Sequence, residues 1–209
     1  MKITAKHGRQ NKIHISIDGE YLLTVDENFW ADCGYVSGDE IDGEELTAFQ
    51  KAAGSRIAFN SAMNSLDYRD HSVREMRTKL LRKFDADYVN SAIGRLTELG
   101  LLNDERFAEN FAAQLFEHKK YGRNRIKTEL FQRGIASDII NNVLDELFEC
   151  EETDNVERIV DIIRRKYYNK MIDENSRRKV FAALVRLGYS YSDVKQAMSE
   201  FSDDEYYEE

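Results

Sequence analysis

Thirteen cations of this 209-residue chain gather at corresponding places in a repeating pattern. Arg74, Arg77 and Lys79 form one group. Arg123, Arg125 and Lys127 form a second, behind Lys119 and Lys120. Arg177, Arg178 and Lys179 form a third. Arg133 and Arg186 follow the second and third groups. A guanidinium is a planar fork that gives two hydrogen bonds at once, which suits phosphate or carboxylate. Recognition of an anionic partner is therefore the chemistry these residues could do. On composition alone, solvated charge on helix faces is the more common arrangement. Other chemistries lack their signatures. There is no glycine-rich phosphate loop ending in Gly-Lys-Ser/Thr, no HExxH and no CxxC. His7, His14, His71 and His118 are scattered without ligand spacing, and no Ser, Cys or His pattern marks a triad. No catalytic, cofactor-binding or metal-binding residue is assigned, and the chain is read as a non-enzyme.

The elements that must carry these cations are helices in a repeat of about 50 residues. First-helix apolar stripes are Phe59, Ala62, Leu66; Phe107, Phe111, Leu115; and Ile159, Ile163, Tyr167. Second-helix stripes are Met76, Leu80; Ile126, Leu130, with Phe131; and Val180, Leu184. Third-helix stripes are Val89, Ile93, Leu96; Ile139, Val143, Leu147; and Val194, Met198, Phe201. Each cationic group opens a second helix. Ser72-x-x-Glu75 reads as a capping box, and Gly134 as the residue after a helix end. Such units cannot bury their apolar faces alone, so they stack. The expectation is a mainly α fold: three tandem three-helix repeats in a curved array, over 55–102, 103–149 and 150–201. If the units stack in similar orientation, the basic second helices can form a stripe. Tyr167, Tyr168, Tyr189 and Tyr191 read as packing residues.

Residues 1–54 differ. Ile13, Ile15 and Ile17 alternate with polar residues, as do Tyr21, Leu23 and Val25 after the turn signal Asp18-Gly19. Ile3 and Ala5 can add a strand, so a β-hairpin or three-stranded sheet is expected, packed on a helix opened by Asp42 or Gly43.

Charge bounds the partners. Net charge is −9, which speaks against bulk attraction to nucleic acid. Residues 1–57 carry −4, residues 58–201 balance, and residues 202–209 carry −5. That last stretch reads as an acidic disordered tail. No apolar run approaches the roughly 20 residues of a membrane helix, and no signal-peptide core opens the chain. A cytoplasmic monomer is expected. Cys33 and Cys150 are too few for a disulfide framework.

One stretch resembles a known family. Asn103-Asp104, Phe107-Ala108, Gly122, Arg125-Ile126, Glu129-Leu130 and Arg133-Gly134-Ile135 follow the signature of the RecX family of recombination regulators. No arginine lies between Arg106 and Arg123, where many members carry one; Lys119 and Lys120 supply the charge. The resemblance implies a modulator, most readily an inhibitor, of the RecA recombinase. It implies binding along RecA filaments and control of their ATPase and strand exchange in DNA repair, homologous recombination and the SOS response. The alternative is a helical module that binds single- or double-stranded DNA directly.

Overall fold

A computed structural model of the chain describes residues 1–149, 155–170 and 173–201. Cys150 and the acidic tail at 202–209 lie outside the described residues. The described residues form a three-stranded sheet followed by helices, as the sequence pattern implies.

Three antiparallel strands run in sequence order: β1 (Ile3–His7), β2 (Lys12–Ile17) and β3 (Glu20–Asp26). The period-two pattern sends Ile3, Ile13, Ile15 and Val25 into the core. Asp18 and Gly19 turn β2 into β3 with φ of 50° and 87°, a two-residue turn whose twist matches the strands. The outer edge of β1 is partly covered: Ile3 N donates to Asp39 O at 2.9 Å, and Gly38 N donates to Ile3 O at 2.8 Å.

Asp26 ends β3 and caps α1 (Glu27–Asp32) by accepting from Phe29 N. Asp42 opens α2 (Gly43–Leu66) with a capping box completed by Glu45. This 24-residue helix crosses the boundary expected at 54/55 without a break. Its first half places Phe49 and Ala53 against the sheet, and Ala62 belongs to the next core. The sheet and the first helical triplet therefore share one helix.

Two compact units divide the chain at Asn103 and Asp104. In the first, α2 packs with α3 (Val73–Leu80) and α4 (Ala86–Glu98) around Ala62, Met76, Leu80, Val89, Ile93 and Leu96. Gly54 permits close approach of α2 and α4, since a Cβ there would lie 2.6 Å from the Tyr88 ring. Ser72 caps α3 by accepting from Glu75 N at 3.1 Å.

The second unit holds two triplets. α5 (Asp104–Lys119), α6 (Arg123–Gln132) and α7 (Ser137–Glu149) surround Ala112, Phe116, Ile126, Leu130, Ile140 and Leu144. α8 (Asn155–Ile162), α9 (Glu174–Arg186) and α10 (Tyr191–Ser199) surround Ile159, Ile163, Val180, Leu184 and Val194. α8 runs on as a π-turn, Ile163–Tyr167, then a 3-10 turn, Tyr168–Lys170, instead of staying α-helical.

Three packing expectations are corrected. Phe131 is 63% exposed, because α6 buries only the Ile126 and Leu130 side of its surface. On α7 the most buried face is Ile140, Val143 and Leu144, with Ile139 and Leu147 at its margins. Tyr168 is exposed; Tyr191, though largely exposed, still packs its ring edge-on against Phe181 at 4.8 Å, while Tyr189 is buried and Tyr167 packs at the core edge.

Candidate functional site

The cations at the starts of the second helices fall into two sets, and helix geometry separates them. Arg123 and Arg177 stand seven residues before Leu130 and Leu184, two turns away on one face. Arg123 reaches the third helix of its own triplet, and Arg177 reaches Phe201, just past the end of α10. Arg123 Nη1 donates to Leu144 O at 3.0 Å, Nη2 pairs with Asp145, and its guanidinium lies 5.8 Å from the Phe148 ring centre. Arg177 Nη2 donates to Phe201 O at 3.4 Å. Arg77 and Lys127 stand three residues before Leu80 and Leu130 and meet asparagines on the third helix. Arg77 donates to Asn90 Oδ1, and Lys127 Nζ approaches Asn141 Oδ1 at 3.4 Å. Arg77 and Arg123 hold a second helix to a third and Arg177 holds one to the residue past a third helix, while exposed Lys127 is only loosely engaged. Sequence alone hid this, because the third helix is remote in the chain.

Arg125 and Arg133 share one carboxylate. Arg125 Nη2 lies 2.7 Å from Glu129 Oε1, and Arg133 Nη1 lies 3.0 Å from Glu129 Oε2. Arg133 also covers the Phe111 ring at 3.9 Å and is half-buried, which removes it from the surface set. Arg125 lies over the Tyr121 ring at 5.6 Å and stays 43% exposed. Arg178 pairs with Glu174 at 2.5 Å, both well exposed, which contributes only ~0.3–0.5 kcal/mol. Arg74, Lys79, Lys119, Lys120, Lys179 and Arg186 are exposed and have no ion-pair partner among the described residues.

Within the second unit, the triplets meet end to start. Gly122 N donates to Leu187 O at 2.8 Å, and Asn124 N donates to Gly188 O at 3.1 Å. A Cβ on Gly122 would stand 2.6 Å from Gly188 C, and one on Gly188 would stand 2.3 Å from Arg125 N. The cationic start of α6 thus abuts the end of α9, next to Arg186. Arg178 lies eight residues before Arg186, roughly 12 Å along α9. Tyr189 Oη donates to Lys120 O at 3.0 Å, and burial raises the pKa of this phenol although Arg158 opposes the shift.

Arg158, which the repeat pattern did not single out, locks the same junction. Its guanidinium lies 3.4 Å from the Phe116 ring centre, and Nη2 donates to Phe116 O at 2.9 Å. Beside it opens a cavity of about 600 Å³, lined by His118, Lys120, Arg165 and Lys166 with Glu157 and Asp161 opposing them. The run Arg164-Arg165-Lys166 was the available signal. Among the described residues no cluster of three His, Cys, Asp or Glu side chains could hold a metal ion, and no helix is long and apolar enough to cross a membrane.

Fold and site define a protein of tandem three-helix units, with solvent-facing cations left over once the internal arginine clamps are set aside. Residues 58–96 match the model of the first three-helix domain of RecX, and residues 103–144 match that of the second. A regulatory protein RecX from Chlorobium phaeobacteroides (strain BS1) is 31% identical over 145 residues, spanning 68% of this chain and 92% of the relative. One from Clostridioides difficile (strain 630) is 25% identical over 209 residues, spanning 98% and 97%. A crystal structure of regulatory protein RecX superposes with a TM-score of 0.71 at 21% identity, covering 95% of this chain and 97% of that one. The RecX structure from Lactobacillus salivarius gives 0.61 at 25% identity, covering 72% and 98%. The chain belongs to the RecX family, whose members here bear the name regulatory protein.

Proposed function

We propose that this chain binds filaments of the RecA recombinase and restrains their ATPase and strand exchange. Membership of the RecX family is the observation that carries this reading, together with the partner implied by the sequence resemblance. The exposed cations support it. Arg74, Lys79, Lys119, Lys120, Arg125, Lys127, Lys179 and Arg186 are the contact residues, meeting acidic RecA surface or enclosed phosphates. Arg77, Arg123, Arg133 and Arg177 are clamps that shape the surface rather than contact the partner. Arg178 is an exposed, weakly paired reserve. Several weak contacts across neighbouring protomers give avidity without one tight site.

The test is RecA ATPase on single-stranded DNA with this chain titrated in. Inhibition is expected well below one copy per RecA, because bridging or end-capping acts on many protomers at once. An unchanged rate at equimolar folded protein overturns the reading.

A further inference from the structure

The net charge of −4 over the first 57 residues conceals a segregation. Residues 1–17 hold Lys2, Lys6, Arg9, Lys12, His7 and His14 and no carboxylate at all. All ten carboxylates of that stretch fall between Asp18 and Glu45. The sheet turns this segregation into a surface. Strand register sets Lys6 beside His14 and His14 beside Thr24, one row across three strands spaced about 4.8 Å apart. Lys12 lies two residues from His14 on the same exposed face, roughly 7 Å along β2. Arg9 sits at the hairpin tip, where Gln10 and Asn11 take left-handed φ of 57° and 55°.

An aromatic group stands beside this row, paired with Ser16 on β2, and is held in place. Tyr21 is 65% exposed, and its Oη lies 3.0 Å from Thr24 Oγ1, which also meets His14 Nδ1 at 2.7 Å. The His14 and Tyr21 ring centres are 6.4 Å apart. Gly8 makes room for this arrangement, since a Cβ there would stand 2.5 Å from His14 Nε2. Between the hairpin tip, β3 and α2 lies a cavity of about 430 Å³, whose lining includes the amides of Gln10, Asn11, Asn60 and Asn64 together with Lys12, the Asp26 carboxylate and the apolar Val25 and Ile57. Side-chain amides offer donors and acceptors together, which suits the edge of an unpaired base. Asp26, which Arg56 and Asn60 hold, lines this cavity, exposed Glu27 follows it, and exposed Asp18 and Glu20 stand at the other end of the sheet, Glu20 next to Tyr21.

We propose that this sheet face binds single-stranded nucleic acid. Lys6, Arg9 and Lys12 take the phosphates, Tyr21 stacks on a base, and the amide-lined cavity accepts a base edge. An acidic protein would use the cations but would not need the exposed ring or the amide cavity. The proposal is independent of the recombinase reading, because its test contains no RecA.

The experiment is fluorescence anisotropy of a labelled oligothymidine of about 16 nucleotides with the full chain over a salt series. Lys6→Ala/Arg9→Ala/Lys12→Ala is expected to weaken binding about tenfold or more and to lower the salt slope by about 2. Tyr21→Ala is expected to weaken it about five- to a hundredfold, whereas Tyr21→Phe, which keeps the ring, binds like the parent. Lys119→Ala/Lys127→Ala is expected to bind like the parent. Circular dichroism confirms that each variant is folded. Parent-like binding by both the triple variant and Tyr21→Ala, loss confined to the Lys119/Lys127 variant, or no binding by the parent at low salt each overturns the proposal.

Discussion

Arg123 and Lys127 look alike as neighbours in a basic run, yet their surroundings differ. Arg123 satisfies a backbone carbonyl of α7, so removing it leaves Leu144 O without that donor. Arg123→Ala should cost about 1–2 kcal/mol of stability in urea unfolding. Lys119→Ala and Lys127→Ala, at exposed positions, should stay within about 0.5 kcal/mol of the parent. The same two lysine variants should weaken binding to RecA filaments, measured by co-sedimentation, and parent-like binding would place the contact elsewhere. Gly188 gives a sharper prediction. It sits at φ of 98° with Arg125 N directly in the path of a Cβ. Gly188→Ala should therefore lose roughly 2 kcal/mol or more, because both the backbone conformation and the space are refused. Equal stability of this variant would show that the α6–α9 junction yields without cost.

At the level of elements, Asp26 ties three pieces together. Its carboxylate caps α1 through Phe29 N and binds Arg56 and Asn60 of α2 while ending β3. Burial alone would raise its pKa, but the hydrogen bonds from Arg56, Phe29 N and Asn60, with the charge of Arg56, outweigh it and hold the carboxyl down at about 2. The unfolded chain binds that proton near pH ~3.9. The stabilisation is thus complete above about pH 4 and is lost as pH falls from about 4 to 2. Asp26→Asn should lower Tm at neutral pH and flatten that acid limb. An unchanged Tm–pH profile would remove Asp26 from this role. The start of α2 at Asp42 or Gly43 was legible in the sequence; its capping box with Glu45 emerged from the structure. The tie from β3 to α2 was not, as it joins residues 30 and 34 positions apart.

For the whole chain, charge distribution is the property that matters. Residues 202–209 hold five carboxylates and no cation. They should compete with RecA or DNA for the exposed cations. A chain ending at Phe201 should then bind filaments more tightly than the parent, most visibly at low salt, where a Debye length is about 30 Å. Equal or weaker binding by the shortened chain counts against competition.

The sequence by itself determined what depends on near neighbours. The sheet followed from the alternation of Ile13, Ile15 and Ile17 around Asp18-Gly19. The triplets followed from stripes such as Met76 and Leu80. Both are local, because contacts within a strand or a helix repeat at fixed intervals. Tertiary structure alone decided which cations face outward. Arg77, Arg123, Arg133 and Arg177 are spent on a third helix, an aromatic ring or a carbonyl, and composition cannot tell a clamp from a solvated charge. It also decided why Gly122 and Gly188 must be glycine: residues 66 positions apart in the chain meet backbone to backbone, and no local period encodes such a meeting.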